Sequence, residues 1–513
     1  MLINPPVAKP GEPPAGLARL CGALRAHGIG HTAADLNLEG LLYLMEKRAG
    51  AGRDCRDTAD RWTARAEKNF ARDLALVRSS RSLENFDSYK KAVLELERLA
   101  SKSGGSPCIR PGLADYQDES LSPLKSSDLM RAAREHRSSP FFPHFSARIP
   151  GMMEGSPSCF AGISVNYLSQ ALPAFAIAGF IRENFPAARI ILGGGLVTSW
   201  LSRPGWVSPF SGLIDRLVAG PGEGALLKLL GKETAQSAYR PDYSLFTPAN
   251  YLSPGPVLPY STAAGCWWRK CSFCPEKAEG SNYLPLAPDR ALAEIEKLAE
   301  LEKPSLIHFL DSALSPSFLK RIAESPPGIP WYGFARITDH LADPGFCRAL
   351  RRSGCVMLKL GIESGDQRVL DKLNKGITLA QVEAALKSLR EAGIATYVYL
   401  LFGTPPETPE AAHNTRDFVL RNAGGIEFLN LAIFNLPLDS EDGAGLKRRK
   451  FYEGDLSLYA DFEHPSGWGR RQVRQFLDRE FKREPAIAAI LRRDPPLFTS
   501  NHAPFFTKGF RFP

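Results

Sequence analysis

The apolar positions of this chain fall into short runs and amphipathic stretches that alternate, stop, and then alternate again. Leu2–Asn4 is a brief apolar run halted by Pro5 and Pro6. Beyond it Leu17, Leu20, Cys21 and Leu24 recur at helical spacing until Gly28 closes the segment. His31–Leu36 reads as the next strand. From 51 to 150 the character changes: Arg, Lys, Asp and Glu are dense, Tyr89–Leu99 is an amphipathic helix, and Ser101–Ser139 is rich in Ser, Pro and Gly. That stretch is predicted to be a helical insertion. The alternation resumes with a strand at Phe160–Ser164, a helix at Leu172–Asn184, and a strand at Arg189–Leu192 that runs into Gly193, Gly194 and Gly195. A strand at Leu213–Val218 follows, then the turn Gly220-Pro221-Gly222-Glu223-Gly224. Strands that alternate with helices and end in small or polar loops predict a doubly wound parallel sheet, with ligands at the carboxyl ends of its strands.

Residues 236–256 carry many Pro and Tyr without a period and read as an ordered linker. A second series follows: a strand-like segment at Val257–Thr262, a cysteine-bearing loop, a helix at Pro288–Leu301, and strands at Ser305–Leu310, Trp331–Ala335, Val356–Gly361, Ala395–Phe402 and Glu427–Phe434. This many βα units predicts a full or partial parallel (β/α) barrel. The α/β chain is thus expected to comprise a sheet domain over 1–235 with its insertion at about 51–150, the linker, a barrel over 257–440, and a C-terminal extension over 441–513. The pattern gives that extension no place on the barrel.

Composition changes this picture little. At 513 residues the chain exceeds one compact core, so two or three domains are expected. An apolar fraction of 44%, a charged fraction of 23% and a net charge of +9 describe an ordinary globular protein with a solvated basic surface. The opening MLINPPVAKPGEPP lacks the basic start and apolar core of a secretory signal, and the most apolar helix, around Ala171–Ile181, is too short to span a bilayer. Of nine cysteines, six are scattered (Cys21, Cys55, Cys108, Cys159, Cys347, Cys355). That is no disulfide framework, and a reducing cytoplasm is the expected compartment.

The three remaining cysteines carry candidate chemistry. Gly265-Cys266-Trp-Trp-Arg-Lys-Cys271-Ser-Phe-Cys274 has a Cys-x4-Cys-x2-Cys spacing. A structural zinc site wants a fourth ligand, and no Cys or His lies close by on either side. Three thiolates on a cubane cluster instead leave one iron open to a substrate. Spacing alone leaves iron–sulfur, zinc and coincidence standing. Downstream come Ile307-His-Phe-Leu-Asp311, Phe334-Ala-Arg336, Leu360-Gly-Ile-Glu363-Ser364-Gly365 with Val369-Leu370 and Asn374-Lys375-Gly376, and Leu401-Phe-Gly403-Thr-Pro-Pro-Glu-Thr408. In this order, over roughly Val257–Asn435, the chain resembles the radical S-adenosylmethionine (SAM) superfamily, and its cobalamin-binding members in particular. The superfamily's commonest loop has three residues between its first two cysteines; this one has four.

The resemblance implies that Cys266, Cys271 and Cys274 ligate a 4Fe–4S cluster and that Phe273, Asp311, Arg336, Glu363, Ser364 and Gly403 contact SAM. Phe273 would lie beside the adenine and Arg336 at the carboxylate. It also implies the chemistry: SAM chelates the open iron, and one electron from the reduced cluster cleaves the sulfonium bond, giving methionine and a 5′-deoxyadenosyl radical. The residues by themselves allow plainer roles, namely strand-end polar groups for Asp311 and Arg336, a loop-fixing acid for Glu363, and a turn for Gly403 and Pro405. His308, inside an apolar strand, reads as a core residue.

In the N-terminal part, Gly162-Ile-Ser164-Val-Asn166, Leu192-Gly193-Gly194-Gly195 and Ala219-Gly-Pro-Gly222-Glu223-Gly follow the order seen in cobalamin-binding domains. The resemblance implies cobalamin contacts at Ser164, Asn166, Gly193, Gly194, Gly195, Gly222 and Glu223, with glycines admitting a bulky cofactor close to the backbone. The family's Asp-x-His-x-x-Gly motif is missing after the first strand. Asp35-Leu-Asn37-Leu-Glu-Gly40 mimics it but follows the second strand, so cobalamin is expected without a protein His beneath cobalt.

The function implied is cobalamin-dependent methyl transfer to an unactivated carbon, supported by an electron donor such as flavodoxin or ferredoxin. Rival readings are a cobalamin-dependent rearrangement or cyclisation, a non-catalytic cobalamin or cluster sensor, and an RNA-modifying radical enzyme. For the last, the basic groups Lys447–Lys450, Arg470-Arg471 and Arg492-Arg493 are interleaved with Asp478, Glu480 and Glu484, so nucleic acid is not the expected partner. Phe498–Phe506 either folds back over the barrel mouth, which would make His502 a candidate catalytic residue, or simply packs as a C-terminal end. The substrate stays open among small molecule, lipid and peptide.

Overall fold

Leu2–Asn4 (β1), Ala33–Asp35 (β2), Phe160–Ser164 (β3), Arg189–Gly193 (β4) and Arg216–Leu217 (β5) form a parallel sheet in the order β2-β1-β3-β4-β5. The computed structural model describes residues 1–50, 60–154, 160–233, 238–440, 443, 445–451 and 453–512; Cys55, Cys159 and the first residues of the expected linker lie outside the described residues. The chain divides into two units, and this sheet founds the first, Met1–Val257 with Tyr452–Ser457 and Pro496–Phe498. Its strand order reverses between β1 and β3, the switch point where open α/β sheets bind ligands. The last strand is shorter than the apolar run Leu213–Val218. The Phe210 carbonyl accepts the N–H groups of Leu213 and Ile214, so the chain is still turning there.

Helix α1 (Ala15–Ala26) buries Leu17, Cys21 and Leu24, the stripe that its periodicity demands. Between β2 and β3 stand α2 (Leu36–Gly50), α3 (Arg61–Val77), α4 (Phe86–Ser101), α5 (Ser126–Arg134) and α6 (Phe142–Met153). The Ser-, Pro- and Gly-rich stretch after α4 is not a bare loop. It forms a small hairpin, Ile109–Pro111 with Tyr116–Asp118, and then α5, which packs on α7 (Leu168–Asn184). Residues 170–181 of α7 are buried on every side, which is why its sequence shows no polar face. Among the described residues no helix is long and apolar enough to cross a membrane.

The second unit comprises Leu258–Phe451, Leu458–Pro495 and Thr499–Pro513. Its strands β6 (Val257–Tyr260), β7 (Leu306–Leu314), β8 (Trp331–Ala335), β9 (Cys355–Glu363), β10 (Ala395–Phe402) and β11 (Phe428–Ile433) lie side by side in chain order, parallel from β7 to β11. Six strands in an open series are the partial form of the expected barrel. Helices α8 (Pro288–Glu302), α9 (Pro316–Glu324), α10 (Pro344–Arg352), α11 (Leu379–Ala392) and α12 (Pro409–Arg421) alternate with the strands. Four begin with proline, and Ser315, Asp343, Thr378 and Thr408 cap helix starts by accepting backbone N–H bonds. These caps fix where each helix begins and so where each strand's loop ends.

Side chains alternate across the strands. Phe309 and Trp331 face the helices: Phe309 meets Phe318 of α9 edge-on at 5.3 Å, and Trp331 Nε1 donates to the Ser353 carbonyl at 3.0 Å. His308, Tyr332, Lys359 and Tyr397 therefore line the concave face, with His308 opposite Tyr332 and Lys359 standing between Phe334 and Tyr397.

The C-terminal extension pairs Arg448–Lys450 with Tyr459–Phe462, and the latter with Leu436–Pro437, in a small antiparallel sheet, and it includes helices α13 (Arg470–Arg479) and α14 (Pro485–Leu491). Its end does not cover the barrel mouth. The Tyr397 hydroxyl donates to Asp494 Oδ1 at 2.9 Å, the Tyr332 hydroxyl to the Asn501 carbonyl at 3.4 Å, and Arg351 Nη2 to the Gly509 carbonyl at 2.6 Å. These partners lie in the amino-terminal halves of the strands or just before them. His502 is buried there, edge-on to Phe505, at the opposite end of the strands from the cysteine loop, which removes the ground for giving it a catalytic role.

Candidate functional site

Cys266, Cys271 and Cys274 are free, half-buried thiols on the loop between β6 and α8. Two indoles hold that loop. Trp267 Nε1 donates to the Leu314 carbonyl at the end of β7 and Trp268 Nε1 to the Asn374 carbonyl beyond β9, each at 3.2 Å. The backbone adds a bond from Ser272 N–H to the Leu373 carbonyl at 3.1 Å. Gly376 has φ +62°, and a Cβ there would lie 2.4 Å from the Trp268 ring, so this turn demands glycine.

Arg336, just past β8, lays its guanidinium on the Trp268 face, 3.7 Å from the ring centroid, and hydrogen-bonds Cys271. Its Nη2 is buried with no hydrogen-bond partner among the described residues. Burial pushes both the Cys271 and Cys274 thiols up, Cys274 to about 11, while the charges of Lys375 and Arg336 pull Cys271 back toward thiolate. Metal binding replaces those protons.

Glu363 ends β9 with φ +71°, a left-handed backbone rare outside glycine. Its Oε1 accepts from Lys375 Nζ at 2.8 Å, and that ammonium lies 5.6 Å from the centroid of the Phe273 ring. Phe273 packs against Val369, Leu373 and Ala411 on one side and Phe434, Leu436 and Ala460 on another. The three cysteines, Phe273, Arg336 and Glu363 are thus gathered at the carboxyl ends of β8 and β9.

The other residues singled out for SAM are engaged elsewhere. Asp311 lies inside β7, not at its end, because the strand runs on to Leu314 with a register shift after Phe309. Its buried carboxylate accepts from Thr262 N–H at 2.9 Å and Thr262 Oγ1 at 2.5 Å, which braces the chain leading into the cysteine loop. Ser364 is fully buried, with its hydroxyl accepting from Asp366 N–H and lying 3.2 Å from Thr415 Oγ1. Gly403 N–H donates to Glu407, whose carboxylate also accepts from Trp468 Nε1 at 2.8 Å. Burial pushes the Glu407 carboxyl up to about 7. His308, the expected core residue, is buried with Nε2 2.9 Å from Lys359 Nζ. Reading the sequence by motif passed over Trp267, Trp268 and Lys375. The indoles occupy the extra spacing between the first two cysteines, and Lys375 sits inside a quoted motif, so each had a signal.

Among the described residues no three His, Cys, Asp or Glu side chains converge as around a single metal ion. A cubane attaches each thiolate to a different iron and asks for a wider spacing. Three half-buried thiols beside basic groups, with an unmatched guanidinium nitrogen for an anion, fit a cluster and a carboxylate-bearing ligand such as SAM.

In the first unit, Ser164, Asn166 and Gly193–Gly195 meet at the carboxyl ends of β3 and β4. Asn166 Oδ1 accepts from Gly195 N–H at 3.0 Å, and its Nδ2 donates to Ser164 Oγ at 3.2 Å. Gly194 has φ +104°, and a Cβ on it would lie 2.5 Å from the Val165 carbonyl. Gln170, which the motifs did not flag, ties the switch point together. Its amide nitrogen donates to Asn4 Oδ1 and the Pro5 carbonyl, at 3.1 and 2.8 Å, and its oxygen accepts from Asn166 N–H at 2.8 Å. Asn37 pairs with the backbone of Ala8 in both directions, a structural role that fits its reading as a chance mimic. Gly222 stands near Leu20, and Glu223 is buried in an ion pair with Arg19 at 2.6 Å, turned toward α1. The rim that remains, Ser164, Asn166, Gly195, Ala219 and Gly220 beside Tyr167 (60% exposed), is nearly free of bulky side chains and fits a large planar group.

Comparison with known proteins agrees with this geometry. Residues 260–419 match the family described as the Radical SAM superfamily. An anaerobic magnesium-protoporphyrin IX monomethyl ester cyclase of Cereibacter sphaeroides is 27% identical over 194 residues, 34% of this chain and 30% of that protein. A bacteriochlorophyllide d C-12(1)-methyltransferase of Chlorobaculum tepidum is 28% identical over 182 residues, 34% of this chain and 39% of its own. The chain thus spans between 28% and 40% of the length of the curated relatives it matches. In fold it is similar to the radical SAM methyltransferase TsrM from Kitasatospora setae, solved with tryptophan and a SAM analogue, at a TM-score of 0.50 and 17% identity, covering 88% of this chain and 79% of that one. Motifs, strand order and family match together establish that this chain carries a radical SAM superfamily domain over residues 260–419.

Proposed function

We propose that the protein is a cobalamin-dependent radical SAM methyltransferase acting on an unactivated carbon. One observation carries the reading: a single chain holds three half-buried thiols beside a partly unmatched buried guanidinium, together with a β2-β1-β3-β4-β5 sheet whose switch point is lined by small residues. When bound, the 4Fe–4S cluster, SAM and cobalamin supply one-electron cleavage of a sulfonium bond and a transferable methyl group. Cys266, Cys271 and Cys274 hold the cluster. Arg336 receives the SAM carboxylate on its free nitrogen, and the Trp268 face keeps that guanidinium aimed. Phe273 offers the adenine a flat apolar neighbour, while the Glu363–Lys375 pair positions the rim. Ser164, Asn166 and Gly193–Gly195 give cobalamin access to backbone, and Gln170 keeps the two flanking loops in place. A one-electron donor such as flavodoxin or ferredoxin is needed, and the cytoplasm is the compartment that suits exposed iron–sulfur chemistry.

The cyclase names among the relatives favour a second reading, cobalamin-dependent oxidative cyclisation without methylation. Anaerobic reconstitution followed by iron, sulfide and cobalamin analysis tests the cofactors. Turnover assays for 5′-deoxyadenosine and methylated product then separate the two readings. Zinc in place of iron sinks both, and cofactor loading without any methylated product leaves only cyclisation.

A further inference from the structure

Arg269 and Lys270 lie between the first two cysteines, in the part of the loop that is one residue longer than the family's commonest spacing. Both side chains are exposed, and Arg269 bends the backbone at φ +50°. With Trp268, Lys277 and Gly376 they line an open depression of about 600 Å³, where Asp371 is the one carboxylate among the described lining residues. Cys266, Cys271, Cys274, Phe273 and Glu363 do not line it, so it lies outside the candidate cofactor socket. Trp268 stands between the two. The centroid of its half-buried ring is 4.8 Å from Lys270 Nζ and 3.7 Å from Arg336 Cζ, and that guanidinium hydrogen-bonds Cys271. A Cβ on Gly376 would come within 3.3 Å of Arg336 Nη2. An indole and a glycine thus separate the depression from the group that touches a candidate cluster ligand.

We propose that this depression is where a small acidic redox protein docks to reduce the cluster, with Arg269 and Lys270 as its anchoring charges. This rests on the proposed function, since it takes the three thiols to hold iron and sulfide. Electron-transfer encounters are small, often burying less than about 1,200 Å² in all, and charge complementarity steers them more than area does. Cations at the rim draw an acidic face in, and the Trp268 ring gives it an aromatic contact at the centre. The step served is the transfer of one electron. The donor's reduced flavin or iron–sulfur centre is oxidised, the oxidised cluster is reduced, and no covalent bond forms or breaks. Because the depression lies outside the socket, donor and SAM occupy the protein together.

The probe is flavodoxin, titrated calorimetrically into the reconstituted holoprotein at about 50 and about 200 mM salt. Wild type is expected to bind in the micromolar range at the lower salt and about tenfold more weakly at the higher. Reversing both charges, Arg269→Glu with Lys270→Glu, should weaken binding at low salt by about tenfold or more and flatten the salt dependence. SAM cleavage driven by flavodoxin should fall with it, whereas cleavage driven by dithionite, which needs no docking face, stays at the wild-type rate. The milder pair Arg269→Gln with Lys270→Gln should show the same pattern at about threefold, and it decides the matter if the reversed variant loads no cluster. Wild type that does not bind flavodoxin, an affinity unmoved by charge removal, dithionite-driven cleavage lost to the same degree, or tighter binding of transfer RNA than of flavodoxin at matched salt overturns the inference. A wild-type sample that takes up no iron overturns the parent reading instead.

Discussion

The two ends of the barrel use the same strands and treat their polar groups in opposite ways. At the carboxyl ends, Glu363 sits at φ +71° and Arg336 keeps a buried nitrogen without a partner. At the amino ends, Tyr397, Tyr332 and Arg351 are answered by Asp494, Asn501 and Gly509 from the C-terminal extension. An unmatched buried donor marks the end where chemistry is expected, and satisfied bonds mark the end where only stability is needed. Backbone strain is found at both, since Thr499 at the amino ends has φ +41°. A parallel barrel can keep the two apart because every strand points the same way.

That contrast is open to attack from either end. Replacing Cys274 with Ala should have the largest effect: iron content after reconstitution falls and SAM cleavage is lost entirely, while circular dichroism and Tm stay as in wild type. Arg336→Met should keep the cluster but weaken SAM binding about tenfold to hundredfold by equilibrium dialysis, the cost of one charge-assisted contact. At the other end, Tyr397→Phe should lower stability by about 1–3 kcal/mol in urea titrations and leave SAM affinity untouched. If it changed SAM affinity instead, the separation of the two ends would fail.

The smallest effect is expected at Glu407. Its carboxyl is raised from an ordinary 4.5 to about 7 by burial, against the Gly403 N–H and Trp468 bonds, so the folded protein holds that proton more tightly than the unfolded chain. The stability this provides is present below about pH 4.5 and lost as pH rises through 7. Glu407→Gln, which cannot ionise, should raise Tm by a few degrees at pH 8 and hardly alter it at pH 5.

Much of the fold was legible in the chain because its signals are local. Trp331–Ala335 and Ala395–Phe402 are strands to the residue, since apolar and aromatic runs there are bounded by turns and capped helices. The motif order located the cysteine loop, Arg336 and Glu363 together. What escaped depends on contacts between distant segments. Asp311 looked like a strand end because nothing in Phe309–Asp311 announces that pairing continues to Leu314. The destination of Phe498–Phe506 could not be read from its aromatics, which would suit either end of the barrel. The Tyr332 hydroxyl on Asn501, with the flanking bonds Tyr397–Asp494 and Arg351–Gly509, decides it. Gln170 escaped for the same reason: among its partners are Asn4 and Pro5, each more than 160 residues away.

The paired indoles of the cysteine loop have a consequence for how this protein ages. Trp267 and Trp268 are tethered to Leu314 and Asn374 by bonds that need no iron. A loop shaped only by a metal has no course of its own, whereas these two bonds pin this one at Leu314 and Asn374. On the proposed reading, those two tethers would hold the loop's course through oxidative loss of a cluster, which is what rebuilding one requires.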